Sequence, residues 1–470
     1  MSLRSLPILT LIVGVLSACS QFDASDAIDV AIIGEPSALL QDGGELLPAA
    51  QHFRAATHEG LIALDSDGQV VPALAESWIF TDDGMSYFFR LRERTWPDGE
   101  RITAEDVRNG LRAAQRSLEG TSLGLDLTKI VDIRAITERV VELRLSSPMP
   151  DFLRLLAQPE LGILRDGSGA GPMVSTPEEG EPLVRLTAKS PQDRGLPKRA
   201  DWDSVNRMIL LRALPAKPSI AAFSRGQIDL VMNGTLTSFP DINLGPLSRS
   251  AIQVDSAQGL LGLIVRSDEG VLGDPARREA LSMAIDRTAL IEPFGISGWQ
   301  PRSWIVPPAM MNGLVERESR WGALSLEERR QIARSRLSAW RAASDDDEIV
   351  LRLGMPPGPG SDSIFRGIAE SWADIGVRTI QVLPGAGAEL EWYDRLARYS
   401  SPRWYLSQFH CELSAGLCSE AVDEIVESSL TEVNGRIKSS LLANAQDVLV
   451  AEGVFIPLGQ PLRWSLVRGS

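Results

Sequence analysis

Histidine is almost absent from this chain: three residues in 470, His52, His58 and His410. His58-Glu59 has Ile62, not a second histidine, one turn on, so the metalloprotease helix is missing. Gly354 to Gly360 is rich in glycine and proline but holds no lysine, so it is no phosphate-binding loop. No basic run interleaved with aromatics occurs, and the formal charge is −15, which argues against nucleic acid as a partner. Beyond the first eighteen residues no stretch is apolar enough to span a bilayer. Internal repeats and low-complexity segments are missing too. Tyrosine is scarce, at four, against eleven tryptophans. Tryptophan offers a large flat apolar surface with a single donor, which suits a cleft as well as a core.

Three cysteines are all there is to place. The first belongs to an address. Arg4 supplies a positive start, Leu6 to Leu16 an apolar run too short to cross a membrane, and Leu16-Ser17-Ala18-Cys19 a lipoprotein cleavage box. Cys19 would then carry diacylglycerol, and Ser20 to Asp26 would be a polar tether. Ser20, with no aspartate there, favours outer-membrane sorting in a Gram-negative host. Cys411 and Cys418 remain. In an exported chain an even remainder predicts a disulfide. A metal pair with His410 is the sharper alternative, but zinc usually spaces its cysteines by two to four residues.

The chain beyond the leader is too long for one core and predicts two or three domains. Ile28 to Ile33 reads as a buried strand ending in the turn Gly34-Glu35-Pro36-Ser37. Helical spacing comes next, over 49–61. Leu61 to Leu64 and Val70-Val71 flank Asp65-Ser66-Asp67-Gly68, a hairpin. Residues 72–78 read as a helical turn, and 86–91 as a strand. Thr103 with Asp106 forms a capping box opening a helix whose apolar face is Val107, Leu111 and Ala114. Strands are expected over 141–145, 208–211, 228–231, 349–353 and 377–382. Helices are expected over 218–225, 277–290 and 361–375. The alternation of strand and helix in both halves predicts α/β lobes. Gly120-Thr121-Ser122-Leu123-Gly124 fits the pattern of serine hydrolases, but that motif needs a strand before the serine. Here a helix precedes it, and the segment reads as a helix stop and loop.

At this point the chain resembles a known family. Glu59-Gly60-Leu61-Ile62, Val71 to Trp78, Asp82-Asp83-Gly84, Phe89 to Arg92, Trp96 to Glu100 and Ile102 to Val107 together look like the signature of the extracellular solute-binding proteins, family 5. These are the dipeptide- and oligopeptide-binding proteins of ABC importers. Gly169-Ala170-Gly171-Pro172, Gly226 to Leu230, Asp274 to Arg287 and Val448 to Leu458 extend the likeness in order. The signature residues themselves read as scaffold: Pro72, Gly84 and Gly99 fix turns, and Trp78 and Trp96 pack a subdomain.

The resemblance implies a periplasmic-binding-protein fold of two α/β lobes (type II), with a subdomain inserted in the first. The expected order is leader 1–18, tether 19–26, lobe one 27–47, insert 48–168, lobe one again 169–257, lobe two 258–445, and a return to lobe one over 446–470. It also implies capture of a small, peptide-like solute by lobe closure, delivery to an importer permease, a monomer in the periplasm or cell envelope, and no catalytic residue, cofactor or metal. In many relatives a second-lobe Trp is closely followed by an acid that pairs with the peptide ammonium. Trp404 matches that Trp, with Tyr405 beside it, but no Asp follows at the expected distance. Glu412 or Glu35 would have to supply the carboxylate, or the solute is not a free-amine peptide. On this reading Trp404→Ala weakens binding without unfolding the protein. A protein that keeps the fold but acts as a chaperone, adhesin or sensor is the second reading, and a secreted hydrolase the third.

Overall fold

Residues 27–165, 167–178, 183–243, 250–311, 320–344 and 348–468 are described by a computed structural model. Cys19, its leader and the tether lie outside them. Ala27–Ile33 buries Val30, Ala31 and Ile32 and runs parallel to Met208–Leu214 on one side and Leu230–Thr235 on the other. It is the centre of the first lobe's sheet. Seven strands line up there among the described residues, in the order Met173–Pro177, Leu183–Ala188, Met208–Leu214, Ala27–Ile33, Leu230–Thr235, Leu462–Val467, Ile252–Ser256. Among the described residues the second lobe's sheet holds five: Val377–Val382, Ile349–Gly354, Leu390–Leu396, Gly259–Val265 and Phe455–Gly459. Gly259–Val265 is buried at every residue because strands flank it and helices cover it.

The insert is a four-stranded antiparallel sheet, Ala75–Phe80, Ser86–Leu91, Val140–Leu145 and Ile130–Thr137, covered by helix Ala104–Ser117. Thr103 caps that helix as its spacing predicts: its hydroxyl accepts from the Asp106 amide at 3.2 Å, and Asp106 accepts from the Thr103 amide at 2.8 Å. Val107 and Leu111 are buried, with Trp96 packed in the same core.

Three local expectations give way. Residues 75–80 are a strand, because Trp78, Ile79 and Phe80 pair with Phe89, Phe88 and Tyr87 and a sheet partner outweighs a proline-started turn. The helix expected over 277–290 is two, Pro275–Ala284 and Arg287–Ile291. Asp286 breaks it by capping the second with bonds from the Thr288 and Ala289 amides. Gly120 to Gly124 is no mere stop: Thr121 caps a short helix, Ser122–Leu127. With a helix before and a helix after it, Ser122 has no nucleophile elbow.

The chain passes between lobes twice near the C-terminal strand. One passage is Ala257-Gln258, before Gly259–Val265. The other is Gln460-Pro461, since Phe455–Gly459 still pairs in the second sheet and Leu462–Val467 in the first. The return to lobe one thus falls later than 446. The passages are tied together by the Ala257 amide donating to the Pro461 carbonyl at 3.0 Å, and Trp299 donates to the Gln460 carbonyl at 3.0 Å. Among the described residues they are the two connections between the sheets.

The Gly169-Ala170-Gly171-Pro172 motif has a packing reason. A Cβ on Gly171 would sit 2.2 Å from the Thr57 carbonyl carbon, so only glycine lets this turn lie on the end of helix Pro48–Thr57. His58 stands there, with its Nδ1 2.8 Å from the Thr57 hydroxyl. Burial, and then Arg54, push its pKa down to about 4. The unfolded chain therefore binds the extra proton between about 6.5 and 4, and stability is full above that window and lost as pH falls through it. His58→Gln should lose roughly 2 kcal/mol less than the native chain between pH 7 and 4.5, after allowing for solvent screening. Urea unfolding at the two pH values measures it, and equal losses would remove His58 from the account.

Candidate functional site

Strand Leu390–Leu396 lies inside the second sheet, between Gly259–Val265 and Ile349–Gly354, yet carries Glu391, Asp394 and Arg395. Charges in a central strand need a reason, since an unpaired one there is costly. The reason is a cavity of about 460 Å³ along this strand's face. Glu391, Trp392, Tyr393, Asp394 and Arg395 form its floor, with Arg266 and Gln408 beside them. The facing wall comes from the first lobe and its insert, through Glu45 and Gly120 to Ser122. Both lobes thus line one space, within the roughly 300–1,000 Å³ range usual for ligand sites.

Every charge in the cavity has a counter-charge. Arg395 reaches across to Glu45 at 2.5 Å. Asp394 pairs with Arg463 at 3.0 Å. Glu391 faces Arg266 at 3.5 Å, the loosest of the three. Burial pushes the Asp394 carboxyl up, against the pull of Arg463. Burial likewise pushes the Tyr393 phenol up to about 12, against Arg395, so it stays a neutral donor and acceptor at neutral pH.

The remaining wall is the loop closed by the Cys411–Cys418 disulfide, whose Cα atoms are 5.1 Å apart. Leu413, Ser414 and Ala415 of this loop line the cavity. The loop is held from outside as well. Arg266 Nη1 donates to the Ala415 carbonyl at 2.5 Å, the Leu417 amide to Val265 at 2.8 Å and the Cys411 amide to Asp423 at 3.0 Å. Arg266 therefore positions the loop while facing Glu391. His410 accepts from the Glu412 amide at 3.2 Å as a helix cap, and no group of metal-ligating residues forms among the described residues.

The residues singled out from sequence do not converge. Trp404 is 2% exposed and Tyr405 fully buried, both in helix Pro402–Ser407, edge to face with ring centroids 5.0 Å apart. They sit in the apolar core and line no part of the cavity. Glu412 is exposed and borders the neighbouring gap between the loop and Glu119 to Thr128. Glu35 is exposed at the end of the first strand, away from the cavity. Sequence reasoning missed Glu45, Arg266, Glu391, Asp394 and Arg395. The one available signal was three charges within a strand flanked by apolar strands.

With this geometry in hand, comparisons with known proteins are informative. Residues 69–185 match the family model described as bacterial extracellular solute-binding proteins, family 5 Middle. The periplasmic oligopeptide-binding protein OppA of Escherichia coli (strain K12) is 24% identical over 337 residues, 63% of this chain and 59% of that protein. The probable deoxycholate-binding periplasmic protein YgiS of the same organism is 32% identical over 129 residues, 22% of this chain and 23% of that one. The matched stretches thus span less than two thirds of these relatives' own length. The structure of the Escherichia coli murein tripeptide binding protein MppA superposes with a TM-score of 0.78 at 18% identity, over 94% of each chain. The two-lobed periplasmic-binding-protein fold is therefore shared along nearly the whole chain.

Proposed function

We propose that this chain is a solute-binding protein of the family whose model it matches over residues 69–185, capturing a small solute between its lobes and handing it to an ABC importer. The observation that carries the reading is the 460 Å³ cavity walled by both lobes, beside the two passages between them. A solute there touches both lobes at once and binds the closed form better than the open one, which is what a transporter needs to read occupancy. No catalytic group enters this account. Cys19 would carry the lipid that holds the protein at a membrane of the cell envelope, as a monomer.

A peptide-like solute fits best. Two of the relatives above bind peptides by name, and the cavity alternates both signs of charge with aromatic surface. Its α-ammonium needs a carboxylate. Glu35 and Glu412 are outside the cavity, whereas Glu391 is inside it, 18% exposed and only loosely engaged by Arg266. Glu391 takes the role, and Arg266 or Arg395 would meet the solute's carboxylate by exchanging its present partner, Glu391 or Glu45. Exchanging one partner of a charged hydrogen bond in a desolvated site is worth about 1.5–3 kcal/mol. Glu391→Gln should therefore weaken a bound di- or tripeptide by roughly 10-fold or more.

Native against denaturing mass spectrometry of the purified protein identifies any retained solute. Thermal shifts against a panel of di- and tripeptides, sugars, opines and metal chelates cover the case where none is retained. A peptide adduct, with its affinity reduced in Glu391→Gln, supports the reading. A sugar or chelate keeps capture and removes the ammonium. No adduct and no shift across the panel would sink transport and favour an interaction protein on this fold.

A further inference from the structure

A second hollow, of about 1070 Å³, is larger than the cavity along Leu390–Leu396. It lies between helix Pro48–Thr57, helix Ala104–Ser117 and strand Met173–Pro177. Every described residue that lines it belongs to the first lobe or its insert, and none lines the solute cavity. Capture between lobes gives it no task. Its walls carry apolar surface: Leu40, Leu164 and Val174 stand there 52%, 44% and 49% exposed. One such side chain alone needs no account, but three around one groove offer a ligand a place to lie.

The charge of the groove is unbalanced. Of the three acids that line it, Asp106 accepts from the amide and the hydroxyl of Thr103, both at 2.8 Å. Glu160 is held by Gln51 at 3.1 Å and by Arg398. Asp42 alone faces a cation of the groove, Arg54 at 3.1 Å, and its own side chain is 95% exposed. Among the cations, Arg165 is taken by Asp98 and Glu100. The Arg54 side chain is 7% exposed and has only Asp42 as a counter-charge among the described residues. Lys189, half-buried on the opposite wall of residues, makes no ion pair among them. Behind Lys189 the field is positive as well, since Arg94 and Arg194 share the one carboxylate of Glu59. Burial, and then Arg94, push the Lys189 ammonium down, and burial, and then Arg54, do the same to His58 on the groove wall. A partly desolvated cation without a partner is a cost that an anion removes.

We infer that this groove is a second binding site, for a small organic anion with an apolar body. Lys189 and Arg54 take the negative group, Arg54 by exchanging Asp42, and Leu40, Leu164 and Val174 take the apolar part. The site stands apart from the transport reading, because its ligand needs neither a filled solute cavity nor any movement of the lobes.

Titration calorimetry of the purified protein with sodium benzoate, and with benzamide as its uncharged match, tests this. Benzoate should bind saturably and benzamide should not. In Lys189→Gln, whose side chain lies outside the apolar core, benzoate affinity should fall about 5-fold or more. In Arg266→Gln and Arg395→Gln, variants of the solute cavity, it should stay. His58 gives a second reading. The chain has three histidines, so its ring signal is assigned by the His58→Gln variant, and benzoate should shift it at lower concentration in the native chain than in Lys189→Gln. No benzoate binding, equal binding of benzamide, equal affinity of Lys189→Gln, a His58 signal that stays still, or a loss confined to the Arg266 and Arg395 variants would overturn the second site. A solute panel without a hit leaves these titrations unchanged, so this site and the transport reading fail separately.

Discussion

Trp404→Ala should lower the unfolding free energy by about 3–5 kcal/mol. The side chain is 2% exposed on helix Pro402–Ser407, within the cluster that includes Tyr399, Leu406, Phe409, Leu442 and Phe455. Truncating it removes a full aromatic payload and leaves a cavity that the neighbouring ring of Tyr405 cannot fill without losing its own contacts. Among the described residues the indole N–H has no hydrogen-bond partner, so no hydrogen bond seen there is lost in return. Denaturant unfolding with intrinsic fluorescence measures the change. A variant of native stability that binds solute poorly would return Trp404 to the cleft. The matched loss of both stability and binding is the expected outcome, since the same helix begins the run that leads to Gln408 and the disulfide loop.

Gly234→Val should cost about 3 kcal/mol or more and reduce the yield of folded protein. A Cβ at this position would lie 2.0 Å from the fused carbons of the Trp464 ring. Trp464 cannot yield: it is 1% exposed and donates to the Thr235 carbonyl at 2.8 Å. The register of Leu230–Thr235 against Leu462–Val467 shifts between Val231 and Gly234, which is how the strand admits the indole face. The C-terminal strand would have to move away from the first sheet, and it adjoins one of the two passages between lobes. Thermal unfolding of the variant, beside Gly435→Ala where an added Cβ meets nothing within 4 Å as control, tests the packing origin. Comparable stability of Gly234→Val and the native chain would show that the strand can shift freely.

Trp404 and Gly234 show from opposite sides what a linear reading can reach. The capping box of Thr103 and Asp106, the hairpin around Asp65 to Gly68 and the strand of Ile28 to Ile33 were legible because each depends on neighbours a few residues away. The family signature was legible for the same reason. Its turns, caps and packed tryptophans are local, and none of them lines the cavity. The break at Asp286 and the strand over 75–80 were less so, because a capping side chain and a sheet partner had to be weighed against a local pattern.

The sequence by itself determined the class of this protein: α/β lobes from alternating strand and helix signals, with the inserted subdomain implied by a family resemblance carried on an ordered set of local motifs. Tertiary structure alone brought the candidate site together. The cavity joins Glu45, Ser122, Arg266, Glu391 and Arg395, which lie up to hundreds of positions apart, and it sends Trp404 into the core. A residue's type and near neighbours set its backbone conformation. Which charge meets which across a cleft depends on how two sheets and an insert are brought together, and no short stretch of chain carries that distance.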